Sequence, residues 1–550
     1  MDSGESPGTS TGDSAAGPPG VPGGSSGGDP GSDPDSDPGG PAAAKTPART
    51  AAPPARPRTA VVAALMLTMS LVALDGAIVS TAVPQIVGDL GGFAVFSWIF
   101  SGYILAGTVT LPVYGKLSDT YGRKPVLLLG ISLFLIGSLL CAAAWNMAAL
   151  IAFRILQGLG GGALQGTVQT LAADLYPLKE RPRIQARMSA VWATSALAGP
   201  ALGGLIASYA DWRWVFLLNL PLAAGALWII NRHLVEPTRP PGRRGPVDWA
   251  GALGVFACGG LLLFALVQGG VTWPWMSAPS LGLLGAAAAL GVLVVRIERR
   301  AAQPILPGWV WRRRTIAAVN LAMAALGLLM VAPMVFMPMY AQTVLGLGPT
   351  GAGLVTSAMT LSWPISAALA QHVYRRIGFR NTAATGVALA AVVLCSFTLL
   401  PYPAPVWQPA LIMLLLGGAL GLFQLPLIVG VQSTVGWEER GTTTASVLFC
   451  RNVGQSVGAA LLGAVANATI AGRLADAPVP GLPTHLDDVA KALDQPQLLS
   501  PAAAEHLRRA VAAAGDHIFA GATVAAVAAA VVLLLVAPRR FPVLPEQREG

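Results

Sequence analysis

Apolar runs long enough to cross a bilayer recur from one end of this chain to the other. A membrane helix takes roughly 20 apolar residues. Runs of that kind cover 59–82, 97–116, 125–144, 147–170, 187–208, 213–231, 249–268, 279–296, 315–342, 351–373, 382–400, 407–430, 442–468 and 517–537. By length they amount to about fourteen transmembrane helices. Only 11% of the 550 residues are charged, against roughly 25% in soluble domains, and the mean hydropathy is +0.61. The expected fold class is therefore all-α integral membrane, with the lipid bilayer as a partner.

The basic residues orient these spans, because Lys and Arg accumulate in cytoplasmic loops. With the N-terminus inside, the cytoplasmic segments hold Lys116, Arg123 and Lys124; Lys179, Arg181 and Arg183; Arg239, Arg243 and Arg244; Arg299, Arg300 and Arg312 to Arg314; Arg375, Arg376 and Arg380; Arg440; and Arg539 and Arg540. The opposite loops are nearly bare, apart from Arg213 and the long loop 471–516, which also carries Asp476, Asp487, Asp488, Asp494 and Glu505. This alternation accounts for the net charge of +9 without nucleic acid. Both termini are expected in the cytoplasm and the chain in the cell membrane.

Residues 1–58 begin acidic and stay rich in Gly, Pro, Ser and Asp, too polar to bury a core. They read as a disordered cytoplasmic tail rather than a signal peptide. The rest divides into a six-helix half at 59–231, a linker 232–314 with two extra spans, and a second six-helix half at 315–537. That half includes the extracellular loop 471–516, in which 484–514 suits amphipathic helices outside the membrane. A cytoplasmic tail follows at 538–550. Two pseudo-symmetric halves are a transporter arrangement.

Several function classes are excluded or disfavoured. Cys141, Cys258, Cys395 and Cys450 each stand alone in an apolar run, without Cys-x-x-Cys spacing, so they read as small buried residues rather than disulfides or zinc ligands. The five histidines are scattered, and neither a metal site nor a cofactor is expected. No Gly-x-x-x-x-Gly-Lys-Ser/Thr occurs, which disfavours an ATP-driven pump within this chain. Gly158-Leu159-Gly160 lies inside a span with no strand before it, so it is not read as a dinucleotide loop. No residue is assigned to catalysis, and the chain is not expected to be an enzyme.

Asp75 is the one carboxylate deep inside an expected span. A buried acid costs about 2.5–3.5 kcal/mol on insertion scales, and intramembrane acids mark proton relays. Arg154, on the fourth span, falls at a similar depth when counted at about 1.5 Å per residue. Protonation of Asp75 would release Arg154, and deprotonation would hold it. The alternative is a permanent ion pair that neutralises two charges.

A short polar run, Gly115-Lys116-Leu117-Ser118-Asp119-Thr120-Tyr121-Gly122-Arg123-Lys124, separates the second and third spans. A link so short makes them antiparallel, with Gly115 and Gly122 free to turn. The pattern G-x-L-x-D-x-x-G-R-K resembles the loop after the second helix of major facilitator superfamily transporters. Further stretches agree: Gly199-Pro200-Ala201-Leu202-Gly203-Gly204, Leu74 to Pro84, Asp211-Trp212-Arg213-Trp214-Val215-Phe216 with Asn219-Leu220-Pro221, and Met337-Pro338-Met339-Tyr340-Ala341-Gln342. Together they resemble the fourteen-span drug:proton antiporter family, the EmrB/QacA-like group, over about residues 60–470.

That resemblance implies export of a small amphipathic or hydrophobic compound in exchange for protons. An endogenous metabolite or lipid is the alternative cargo, and a nutrient symporter is the alternative class. Asp119 would cap or pair at the cytoplasmic face, and Arg123 would reach Asp174 at the inner end of the fourth span, forming a gate with Gly115, Gly122 and Lys124. Gly199, Pro200, Gly203 and Gly204 would form the helix kink found mostly in exporters. The comparable small-residue face in the thirteenth span is Gly454-Gln455-Ser456-Val457-Gly458, beside Arg451. Candidate cavity residues are Tyr103, Gln165, Gln169, Trp192, Gln342, Trp363, Gln424 and Arg451. Some members that export dications carry further intramembrane acids in the second half. Their absence here points to neutral, monocationic or amphipathic cargo. The expected partners are a small molecule and protons, with the chain as a monomer and an accessory export partner left open.

Overall fold

A backbone without water to bond to must satisfy its own N–H and C=O groups, and only helices do so within one segment. The computed structural model describes residues 58–91, 95–96, 98–236, 248–269, 273–475 and 500–544. Its helices are α1 (Arg58–Leu90), α2 (Trp98–Tyr121), α3 (Arg123–Ala142), α4 (Met147–Leu175), α5 (Arg181–Tyr209), α6 (Trp214–Leu217), α7 (Asn219–His233), α8 (Trp249–Gln268), α9 (Ala278–Arg300), α10 (Trp309–Arg312), α11 (Arg314–Leu329), α12 (Met337–Thr343), α13 (Pro349–Phe397), α14 (Trp407–Gln432), α15 (Trp437–Ala475) and α16 (Pro501–Leu535), with a π-helical turn at Ala332–Phe336. Among the described residues no strand forms, and one isolated bridge joins Gly269 to Trp273. Eleven of the described helical segments are long and apolar enough to cross a membrane, which makes this a multi-pass membrane protein.

Local chemistry starts several of these helices. Asn146 accepts the Ala149 N–H at 2.7 Å, Asp248 accepts that of Gly251 at 2.9 Å, and Ser500 accepts that of Ala503 at 3.2 Å. Each satisfies an orphan donor of a first turn. Gly378, at φ 83°, interrupts α13 and divides it into two arms.

Packing sorts the helices into neighbourhoods. α1 lies on α5 and α7, α3 on α4, and α2 bridges α4 and α15; α11 meets α15 and α16, and α8 rests on α9, α2 and α15. The largest apolar core is drawn from α10 to α16, and a second from α1, α3, α4, α5 and α7. The α1–α5 contact is backbone-close. A Cβ on Gly199 would run into that of Ala77, and one on Gly203 into Thr81 Oγ1 and the Ile78 carbonyl. α5 continues as helix through Pro200.

Two local expectations change. The polar run 115–124 is almost entirely helical: α2 reaches Tyr121, α3 begins at Arg123, and Gly122 alone turns the chain, at φ 106°. Gly115 sits inside α2, where a Cβ would strike Ala445 and the Gly441 carbonyl. It lets α15 approach rather than the chain turn. Likewise the long loop 471–516 is shortened from both sides, by α15 to Ala475 and α16 from Pro501. The alanine-rich run after the Ser500 cap favours helix. Only about the last 20 residues of α16 are needed to span the hydrocarbon, which leaves Asp516 near its outer edge. The expected tail 1–58 lies outside the described residues except for Arg58. So do Arg239, Arg243 and Arg244, the loop acids Asp476, Asp487, Asp488 and Asp494, residues 484–499 of the expected amphipathic stretch, and residues 545–550.

Candidate functional site

Asp75 and Arg154 meet in the interior. Arg154 Nη1 donates to Asp75 Oδ2 at 2.6 Å, and both side chains are wholly shielded from solvent. Asp75 Oδ1 accepts from Gln157 Nε2 at 2.8 Å and Asn219 Nδ2 at 2.9 Å. Ser138 ties the last two together and donates to the Phe216 carbonyl at 3.0 Å. Arg154 also donates to the Ile99 carbonyl at 3.1 Å and to Gln157 Oε1 at 2.7 Å, and its guanidinium lies 4.3 Å from the centre of the Tyr103 ring. All three side chains bonded to the Asp75 carboxyl group, Arg154, Gln157 and Asn219, are donors. Arg154 Nη2 is buried without a hydrogen-bond partner.

Arg154 and Tyr103 face a cavity of about 960 Å³ bounded by α1, α2, α4, α5, α8 and α15. Phe100, Trp192 and Trp275 give it aromatic surface, and Leu263, Leu266 and Val267 of α8 give it an aliphatic wall. Arg451, Asn452 and Gln455 bring polar groups from α15. Asn452 Nδ2 donates to Thr108 Oγ1 at 3.1 Å, joining α15 to α2 at the cavity edge. Asp75 does not line the cavity, whereas its partner Arg154 does.

Toward the Tyr121 end of α2, a second set of polar groups joins α2 and α4 to α15. Asp119 accepts the N–H groups of Gly441 at 2.8 Å and Thr442 at 2.7 Å, and the Thr442 hydroxyl at 2.7 Å. Gly441 and Thr442 are the fifth and sixth residues of α15, so this carboxylate ties α2 to the second turn of that helix. Arg123 lies 3.0 Å from Asp119 and 2.9 Å from Asp174. It also donates to the carbonyls of Ser118 at 2.7 Å and Trp437 at 2.5 Å, and stacks 3.6 Å above the Trp437 ring. Arg440 pairs with the other oxygen of Asp174, and Arg313 with Glu439 at 2.5 Å. Burial pushes the Asp119 carboxyl up to about 6, against the opposing pull of Arg123 and the Thr442 and Gly441 donors.

Of the residues singled out from sequence, Asp75 meets Arg154, and Asp119, Arg123 and Asp174 form one cluster. Lys124 stands apart, donating to the Asn231 carbonyl at 2.7 Å. Tyr103, Gln165, Trp192 and Arg451 line the cavity. Four others do not. Gln169 accepts from Gln185 Nε2 at 2.6 Å; Gln342 is exposed on α12; Trp363 packs against the apolar cores; and Gln424, on α14, is away from the lining. A polar or aromatic residue in an apolar helix can face a cavity, a neighbour or the headgroups, and helix rotation decides which. Gln157, Asn219, Ser138, Arg440 and Thr442 were not anticipated. Asn219 stands in the quoted run Asn219-Leu220-Pro221 and Gln157 lies three residues after Arg154, so a signal existed. For Ser138 and Thr442 the sequence carried none.

Residues 65–459 match the sequence profile of the Major Facilitator Superfamily. The chain is 34% identical over 429 residues to the Multidrug transporter protein MdtP of Bacillus subtilis (strain 168), covering 77% of this chain and 78% of that protein. It is also 34% identical over 418 residues to Multidrug resistance protein 3 of the same organism, covering 76% and 81%. Among solved structures, the human organic anion transporter MFSD10 (TETRAN) superposes with a TM-score of 0.59 at 15% identity, over 87% of this chain and 99% of that chain. At that identity the likeness concerns the fold alone.

Proposed function

Since this chain belongs to the Major Facilitator Superfamily, a family of membrane transporters, we propose that it exports small amphipathic or hydrophobic compounds across the cell membrane in exchange for protons. The direction is supported by the relatives named for multidrug transport and resistance. Coupling is supported by one observation above all: a carboxylate–guanidinium pair sealed from solvent behind the cavity wall. We assign the chain to the fourteen-span drug:proton antiporter group. α2, α5 and the second arm of α13 join the eleven apolar segments as spans, both termini face the cytoplasm, and α8 and α9 are the extra pair between two six-helix halves, 59–231 and 315–537.

In this reading the ionised Asp75 fixes Arg154 by an ion pair and a hydrogen bond. A proton on Asp75 cancels the charge and frees Arg154 Nη1 to turn toward the cavity. Arg154 is thus the link between the proton site and the cargo space. The polar cluster of Asp119, Arg123, Asp174 and Arg440 holds the cytoplasmic side shut and has to break for that side to open. Gly199 and Gly203 keep α5 on α1 and limit proton leak past the cavity. Inward movement of one charge across 100 mV supplies about 2.3 kcal/mol, enough for a modest efflux gradient.

The test is export. Expression in a host stripped of its own pumps is expected to lower accumulation of at least one amphipathic dye. In inverted vesicles a pH gradient is expected to drive that dye, and Asp75→Asn to abolish the drive while the protein still inserts. Proton-dependent uptake by intact cells would overturn the exporter reading. Undiminished pH-driven transport in Asp75→Asn would remove the coupling assignment.

A further inference from the structure

Two guanidinium groups and no carboxylate line the cavity among the described residues. Arg154 is neutralised by Asp75 from behind. Among the described residues Arg451 has no such counter-charge: it makes no ion pair there, and its hydrogen bond is a 3.5 Å contact with the neighbouring Asn452 Oδ1. Arg451 stands half-buried at a wall whose nearby groups, Asn452, Gln455 and Ser456, are neutral. A charge inside a bilayer is ordinarily paired or in contact with a water-filled cavity that carries ions or substrate. A planar fork of free donors matches a carboxylate or sulfonate oxygen pair.

From this geometry we infer that the cargo is a lipophilic organic anion, its acidic head on Arg451 and its apolar body against Trp192, Trp275 and the α8 wall. This rests on the exporter reading and narrows it, and it replaces the monocationic cargo suggested by the lack of further intramembrane acids. A cation would meet an uncompensated positive charge at the cavity wall, whereas an anion supplies the missing counter-charge. Arg154 Nη2, buried and unpartnered on the same cavity wall, is a second donor for the head group once Asp75 is protonated. The charge balance has a consequence. An anion leaving and a proton entering both move positive charge inward, so an inside-negative potential drives the exchange by itself.

Three probes with one pyrene body and equal linkers decide the matter: pyrenebutyrate, its primary amide, and the trimethylammonium analogue. Binding is measured at equilibrium on purified protein in nanodiscs, with empty nanodiscs subtracted. Wild type is expected to bind the carboxylate about tenfold more tightly than the ammonium, with the amide between. Arg451→Gln is expected to bring the three together, and Arg451→Lys to keep part of the preference. Comparison of the probes on wild type stands even if a variant folds poorly. Equal binding of all three, tighter binding of the ammonium, no binding of the carboxylate, or an unchanged preference in Arg451→Gln would each overturn the assignment. Because the measurement needs no transport, its failure is separate from that of the exporter reading. Vesicles given only an inside-negative potential test the latter with the same carboxylate: net exit from the cytoplasmic face supports it, and net entry counts against it.

Discussion

Asp75 shows how much a single buried charge depends on its surroundings. Three side chains donate to its oxygens, and one of them carries the compensating charge. Removal of one partner of a buried pair costs about 3–5 kcal/mol, because the other charge is stranded. We predict that Arg154→Ala destabilises the protein by that amount, read as loss of thermal stability in detergent. The double variant Asp75→Asn with Arg154→Gln should recover most of it, since no charge is left unpaired. Equal stability of Arg154→Ala and wild type would mean that water reaches Asp75. The pairing was legible in the sequence because each charge is conspicuous in an apolar helix. The surrounding Gln157, Asn219 and Ser138 were less so, because neutral polar groups are common in membrane helices.

Between elements, contact distance is set by the smallest residues. At Gly203 an added methyl group would run into Thr81 Oγ1 and the Ile78 carbonyl, backbone that cannot move without shifting α1. Forced overpacking of this kind costs about 1–3 kcal/mol. We predict that Gly203→Ala lowers the melting temperature and raises passive proton leak in liposomes. Gly225→Ala, whose new Cβ would rest 3.6 Å from Leu67, should change neither. A tight, stable Gly203→Ala would show that the α1–α5 seam carries no sealing role. The same logic explains the misread Gly115. A glycine next to charged residues suggests a turn, yet here the small side chain serves a neighbouring helix far away in sequence, which no local pattern reveals.

At the scale of the whole molecule, the cluster around Asp119 ties α2 and α4 to α15, and in the proposed cycle it closes one end of the cavity. Its buried carboxyl sits at about 6 instead of its ordinary 3.8. When the end opens and water returns, it falls back toward 3.8. The closed state thus binds the proton more tightly. Its extra stability is full below pH 3.8 and is lost as pH rises through about 6. We predict that acidification from pH 7 to 5 on both sides shifts the protein toward the closed form, with little change above pH 7. Spin labels at the exposed Tyr121 and Glu438 positions would report this as a growing population of short distances. Asp119→Asn should flatten the response, and a response unchanged in that variant would place the sensor elsewhere.

Sequence by itself determined that this chain is a bundle of membrane helices, and it singled out Asp75, Arg154, Asp119, Arg123 and Asp174 as its notable charges. The reason is that hydropathy, loop charge and a lone ion in an apolar run are local properties. Only the tertiary structure decided which faces of those helices turn inward. It set Gln165 and Arg451 on the cavity wall and left Gln169, Gln342, Trp363 and Gln424 off it. It also joined Arg440 to Asp174 while giving Arg451 no counter-charge among the described residues. A modest rotation of a helix about its axis, set by packing against distant parts of the chain, exchanges one outcome for the other without altering a single local pattern.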